Sequence, residues 1–216
     1  MTIPPGIRAV VFDAVGTVIF PNPGAAVVYA EVAKSHGIAI PQPDELNARI
    51  WAHFRIEEQF DRDNGWITSE ARERQRWCNI VNAAIPGASD DLFEELFAHF
   101  ALPSAWRVPR EAAAAIAELH ECGFILGMGS NYDARLRSVV EGTPTLLPLA
   151  EHLVISSEVG YRKPARQFFD AVRQSVGCEA SEILFVGDDI ENDVNGANAA
   201  GMRGMLAEFR YVLPDQ

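Results

Sequence analysis

Residues 7–13, IRAVVFD, form a nearly unbroken apolar, β-branched run that ends on an aspartate. Side chains alternate sides along a strand, so a run apolar at successive positions belongs to a strand covered on both faces. Similar runs recur at 124–130 (FILGMGS), 152–159 (HLVISSEV) and 182–188 (EILFVGD), with a weaker one at 203–209 (RGMLAEF). Helical patterns separate them. One follows Pro109 and stops at Gly123, and others cover 132–141, 165–177 and 190–200, the last stopped by Gly201. Strands alternating with helices predict an α/β fold, a Rossmann-like doubly wound parallel sheet.

The segment 21–103 has a different character. It holds no strong strand run but four helical stretches, at about 24–36, 43–61, 68–85 and 89–101. Ser89, followed by Asp90 and Asp91, has the chemistry of an N-cap with an acidic first turn. The expected organisation is therefore a core domain of residues 1–20 and 104–216, interrupted by a helical domain over 21–103. Within the insert, ERQR (73–76) reads most simply as a solvated helix face, and Trp51, Trp66 and Trp77 read as core.

With 18 Lys+Arg against 30 Asp+Glu, the formal net charge is −12. Such a chain repels phosphate backbones and anionic lipid, so neither nucleic acid nor a membrane is an expected partner. No secretory signal is visible in the first residues, and Cys78, Cys122 and Cys178 show no CxxC spacing. Reduced thiols in a cytoplasmic protein are expected, with each cysteine a small buried hydrophobe. The five histidines lack zinc-ligand spacing, and the glycines of 123–129 do not fit the dinucleotide fingerprint.

Chemistry gathers at the strand ends. The first run ends at Asp13, the second at Ser130 and Asn131, and the fourth at Asp188 and Asp189, with Asp193 five positions after Asp188. Lys163 follows the third run and is one of only two lysines in the chain, the other being Lys34. In open α/β sheets ligands bind outside the carboxyl ends of the strands, so these groups are expected to converge. Carboxylates brought together need a cation between them, and oxygen donors with an open coordination sphere suit Mg²⁺. Taken singly, each residue has a plainer reading as a turn, cap or solvated side chain. Their joint occurrence, in order and at strand ends, favours a site.

FDAVGT (12–17), MGSN (128–131), RKP (162–164) and VGDDIEND (186–193) resemble the four motifs of the haloacid dehalogenase (HAD) superfamily of hydrolases, and the insert resembles the C1 cap of its subfamily I. The resemblance implies a Mg²⁺-dependent phosphohydrolase acting on a small phosphorylated metabolite. Asp13 would be the nucleophile that forms an aspartyl-phosphate. Asp13, Asp188 and the backbone carbonyl of Val15 would ligate the metal, with Asp193 supporting it. Thr17, Ser130 and the Asn131 amide would hold the phosphoryl group, and Lys163 would neutralise charge between it and Asp13.

One position departs from the family's phosphatases, which usually carry a second aspartate, the general acid/base, two residues after the nucleophile. Here that residue is Val15. Three readings follow. The substrate has a good leaving group; another acid, such as His53, Glu57, Glu158, Tyr161 or Glu191, replaces the missing one; or the fold only binds phosphate. Dehalogenases of the superfamily also lack the second aspartate, but the acidic fourth motif argues for a metal and against dehalogenation. A Schiff-base mechanism would need Lys34, the one lysine in the insert.

Overall fold

A computed structural model of the protein describes residues 3–207. Its main sheet has five parallel strands: β1 (Ala9–Phe12), β4 (Ile125–Ser130), β5 (Leu153–Ile155), β6 (Ile183–Gly187) and β7 (Arg203–Leu206), in the order β5-β4-β1-β6-β7. The predicted parallel architecture is found. β1 is central, and Phe12 lies level with Met128 on one side and Val186 on the other. The chain runs outward from β1 in both directions, so the strand order reverses there.

Alternation along the strands explains the two-sided burial. Val10, Phe12, Leu126, Met128, Leu184 and Val186 pack on one face with α5 (Arg110–Glu121) and α6 (Arg135–Glu141). Ala9, Val11, Ile183 and Phe185 pack on the other with Phe168, Phe169 and Val172 of α8 (Arg166–Val176). Burying each such large apolar side chain contributes roughly 1.5–3 kcal/mol.

The helical insert is present as α1 (Ala25–Ser35), α2 (Pro43–Asp63), α3 (Glu70–Ala84) and α4 (Asp90–His99). It has its own apolar cluster, built on Tyr29, Leu46, Ile50, Ile80, Leu92 and Leu96. Ser69 and Ser89 accept hydrogen bonds from the Arg72 and Leu92 amides and cap α3 and α4. Where the chain leaves and re-enters the α/β unit, β2 (Phe20–Pro21) and β3 (Trp106–Arg107) pair antiparallel. These two-residue strands are too short to show a periodic signal.

Several expectations are corrected. The run at 152–159 stays extended only to Ile155, then turns into α7 (Ser156–Val159), which ends at Gly160 in the left-handed region. The helix expected over 190–200 is a π-helical turn, Ile190–Asn195, continued by α9 (Gly196–Ala199). The last run forms β7 to Leu206, and its final residues, 208 and 209, lie outside the described residues, as does the end of the expected core domain. ERQR is only half a solvated face: Arg74 and Gln75 are exposed, but Glu73 and Arg76 are each 1% exposed. They fall at helical spacing with Ile80 and Ala84, on the buried stripe of α3. Cys178 is buried as expected, but Cys78 is only half-buried and Cys122 is exposed just past α5. Trp51 is exposed rather than core. No helix among the described residues is long and apolar enough to cross a membrane.

Candidate active site and metal centre

The carboxyl ends of β1, β4 and β6 bring the expected residues together. Asp13 follows β1, and its amide donates to the Val186 carbonyl at 2.8 Å, tying the end of β1 to β6. Its carboxylate is 6% exposed and each oxygen has partners. Oδ1 accepts from the Lys163 ammonium at 2.6 Å and from the Ser130 hydroxyl at 3.4 Å. Oδ2 accepts from the Thr17 hydroxyl at 3.3 Å, which also lies 3.3 Å from Asp188 Oδ1.

Lys163, 2% exposed, also reaches Asp193 Oδ1 at 2.6 Å and the Gly129 carbonyl at 3.1 Å. Burial alone would lower the pKa of its ammonium, but Asp13 and Asp193 outweigh that and hold it above the ordinary lysine range. Asp13, Asp188 and Asp193 offer carboxylate oxygens all within 4.8 Å of one another. Each is raised from its ordinary value. Burial is the largest cause in every case, and neighbouring carboxylates add to it: Asp188 on Asp13, Asp193 on Asp188, and Asp13 on Asp193, which is pushed up to about 6. Three carboxylates against one ammonium leave a formal charge of −2. All-oxygen donors with that deficit fit a hard divalent cation.

Glycine makes the close approach possible. Gly16 has φ +95°, and a Cβ there would collide with the Asp188 carboxylate; one at Gly187 would collide with that of Asp193. Asp189 stays out of the cluster. Its carboxylate caps the next turn, accepting from the Glu191 and Asn192 amides, which is the plainer of the readings its position allowed.

Asn131 has a side-chain partner that sequence reasoning missed. Its Oδ1 accepts from the Lys163 amide at 2.7 Å and its Nδ2 donates to the Lys163 carbonyl at 3.1 Å. Val15 is 37% exposed. Of the groups considered as substitutes for the missing acid, Glu57 pairs with Arg72, Glu158 with Arg137 and Glu191 with Arg62. Tyr161 bridges to Ile67 through the backbone. Lys34 is exposed on α1, lining a shallow surface hollow with Glu31 and Ile38.

A family model described as haloacid dehalogenase-like hydrolase matches residues 7–201. The chain belongs to this family. Among relatives of this hydrolase, haloacid dehalogenase-like hydrolase domain-containing protein 3 of Bos taurus is 26% identical, over 93% of this chain and 81% of its own. The phospholysine phosphohistidine inorganic pyrophosphate phosphatase of Bos taurus is 37% identical over a shorter stretch, 38% of this chain and 30% of its own. The HAD-hydrolase YfnB of Bacillus subtilis, solved bound to magnesium and described as revealing interdomain movement, shares the hydrolase's fold. Its TM-score is 0.73 at 18% identity, over 91% of this chain and 86% of that one.

Proposed function

We propose that this hydrolase is a Mg²⁺-dependent phosphohydrolase acting on a small phosphorylated metabolite in the cytoplasm. Residues 21–103 would serve as a C1-type cap over the site. The observation that carries the reading is the buried Asp13 carboxylate, held by Lys163 and within 4.8 Å of Asp188 and Asp193. The phosphatase named among the relatives and the magnesium-bound neighbour support it.

In this reading an Asp13 carboxylate oxygen attacks phosphorus. An O–P bond forms to Asp13 while the bond to the leaving oxygen breaks, and water then cleaves the aspartyl-phosphate to release phosphate and restore the carboxylate. Lys163 holds Asp13 in place and offsets charge on the transferring group. The Ser130 and Thr17 hydroxyls and the Asn131 amide bind phosphoryl oxygens. Asp13, Asp188, Asp193 and the Val15 carbonyl would hold Mg²⁺, which supplies charge neutralisation at the phosphoryl group. Lys163, bonded to Asp13 and Asp193 at once, stays protonated throughout.

Val15 cannot donate a proton to the leaving oxygen. A missing positioned acid costs roughly 10²–10⁴-fold, so aryl and acyl phosphates, whose leaving groups need no acid, are the favoured substrates. Three of the five possible replacement acids are already in ion pairs, which supports this reading over substitution. The lack of any proton donor at Val15 also accommodates a second reading, a phosphate-binding protein without turnover. Release of nitrophenol from p-nitrophenyl phosphate, measured with Mg²⁺ and with a chelator, separates the two. Metal-dependent release is expected; no turnover of any aryl or acyl phosphate would leave only the binding role.

A further inference from the structure

The loop carrying Lys163 is also one of the places where the insert meets the core, beside the Glu70–Ser157, Arg135–Phe97 and Asn192–Glu58 contacts. Residues 160–162 run beside 66–68 of the insert. The Arg162 amide donates to the Trp66 carbonyl at 2.8 Å, the Thr68 amide donates to the Gly160 carbonyl at 3.0 Å, and Ile67 and Tyr161 form an antiparallel bridge between them. The Arg162 side chain, 4% exposed, then enters the insert. Its Nη1 bonds the Glu73 carboxylate and its Nε lies 3.6 Å from Asp61 Oδ2. The Thr68 hydroxyl donates to the same Glu73 oxygen at 2.7 Å. Successive residues of one loop thus face two centres: Arg162 the buried charges of the insert, Lys163 the carboxylates of the site.

The fully buried charges of the insert are unequal without the core. Asp61 and Glu73 have Arg76 as their one fully buried base in the insert, with Arg72 reaching Asp61 from a partly exposed position, and Arg162 is the second buried base. Buried groups tolerate charge only when paired. Burial would raise the Glu73 carboxyl, yet Arg162 holds it below its ordinary range. Undocking the insert would strip Glu73 of that partner and release residues 160–162 from 66–68, leaving the adjoining Lys163 backbone to the Asn131 side chain alone.

We infer that Arg162 is a positioning residue: its pairing with Glu73 seats the helical insert against residues 160–162 and, together with the Asn131 clamp, steadies Lys163 against Asp13, so that docking of the insert tunes the site. The inference rests on the proposed role of Lys163. It makes Glu73, remote from the reacting atoms, a determinant of turnover through the loop rather than through substrate contact.

The test uses the full chain with Mg²⁺ and p-nitrophenyl phosphate, together with hydrogen exchange at the Lys163 amide. Glu73→Gln and Arg162→Gln are each expected to lower kcat by about 10–100-fold, the scale of a small misplacement of a reacting group, and to speed exchange at Lys163 about tenfold. The double variant is expected to be no worse than the poorer single one, and Arg162→Lys to recover part of the loss. Ile80→Val, which loosens the insert's apolar cluster without touching the pair, is expected to lower Tm while leaving kcat and Lys163 exchange within twofold. If Glu73→Gln fails to fold, Thr68→Val, which removes one bond to Glu73, carries the same expectation in weaker form. Folded variants that lose Tm but keep both kcat and Lys163 protection would overturn the inference and leave Arg162 a structural staple. Should the unaltered protein turn over no phosphate ester, the proposed reaction fails, while Lys163 exchange in Glu73→Gln still decides the coupling.

Discussion

Asn131 holds both backbone polar groups of Lys163, accepting from its amide at 2.7 Å and donating to its carbonyl at 3.1 Å. The side chain just past the end of β4 therefore grips the loop that delivers the ammonium to Asp13. Asn131→Ala removes both bonds and frees that loop. We expect kcat for p-nitrophenyl phosphate to fall by about 10–100-fold with a small loss of Tm, measured by steady-state kinetics and thermal unfolding. Unchanged kcat would show that the clamp is dispensable.

Asp13→Asn keeps the shape of the nucleophile but not its charge. Turnover of every phosphate ester should drop by roughly 10⁴-fold or more, as removal of a nucleophile does. The variant should still fold, because the amide removes one of three crowded carboxylates. Retained activity in single-turnover assays would reassign the nucleophile.

Val15→Asp restores a group able to protonate the leaving oxygen. Val15 is exposed, so the substitution buries no charge and should cost little stability. Activity on alkyl phosphates is expected to rise by about 10²–10⁴-fold, with a smaller change for aryl phosphates. Equal effects on both classes would argue that leaving-group protonation is not what Val15 withholds.

Gly16→Ala places a methyl group against the Asp188 carboxylate at a φ of +95°. The backbone strain alone costs about 1–2 kcal/mol, read as a lowered Tm. Displacement of Asp188 should also weaken Mg²⁺ binding, followed by calorimetric titration. Unaltered affinity would show that Asp188 has room to move without leaving the metal.

Without metal, stability should rise as the pH falls from 7 toward 5. Asp193 is pushed up to about 6, and Asp13 and Asp188 are raised as well, so the folded state takes up these protons before the unfolded chain does. Between the folded and unfolded values the native form binds more protons, and stability falls as pH increases. Mg²⁺ saturation stabilises the ionised site by mass action and should flatten this slope. Denaturant midpoints at pH 5, 6 and 7, with Mg²⁺ and with chelator, provide the check; a slope unaffected by metal would separate these carboxylates from the metal site.

The strands legible in the sequence were those buried without a break, and the legible helices those apolar at helical spacing. β1, β4 and β6 are apolar on both sides, and Asp13, Ser130 and Asp188 stand out because a polar residue ends such a run. Less legible was anything that depends on pairing across the chain. The two-residue strands Phe20–Pro21 and Trp106–Arg107 carry no period, and the run turns helical beyond Ile155, where Ser156 and Ser157 hydrogen-bond with Tyr132 and Glu70 from distant parts of the chain. Glu73 and Arg76 look like surface charges until their helical spacing with Ile80 is counted. Arg76 pairs with Asp61 within the insert, whereas the partner of Glu73, Arg162, is 89 positions away in the chain.

The sheet order has a consequence for synthesis. β1 is complete by Phe12, but its two neighbours begin at Ile125 and Ile183. While the chain emerges, the earliest strand has no hydrogen-bonding neighbour for more than a hundred residues, and its apolar side chains must be shielded by other means. Long-range pairing of this kind is slow and exposes aggregation-prone surface. A nascent chain arrested before Ile183 would present one whole edge of its central strand, open to pairing with another chain.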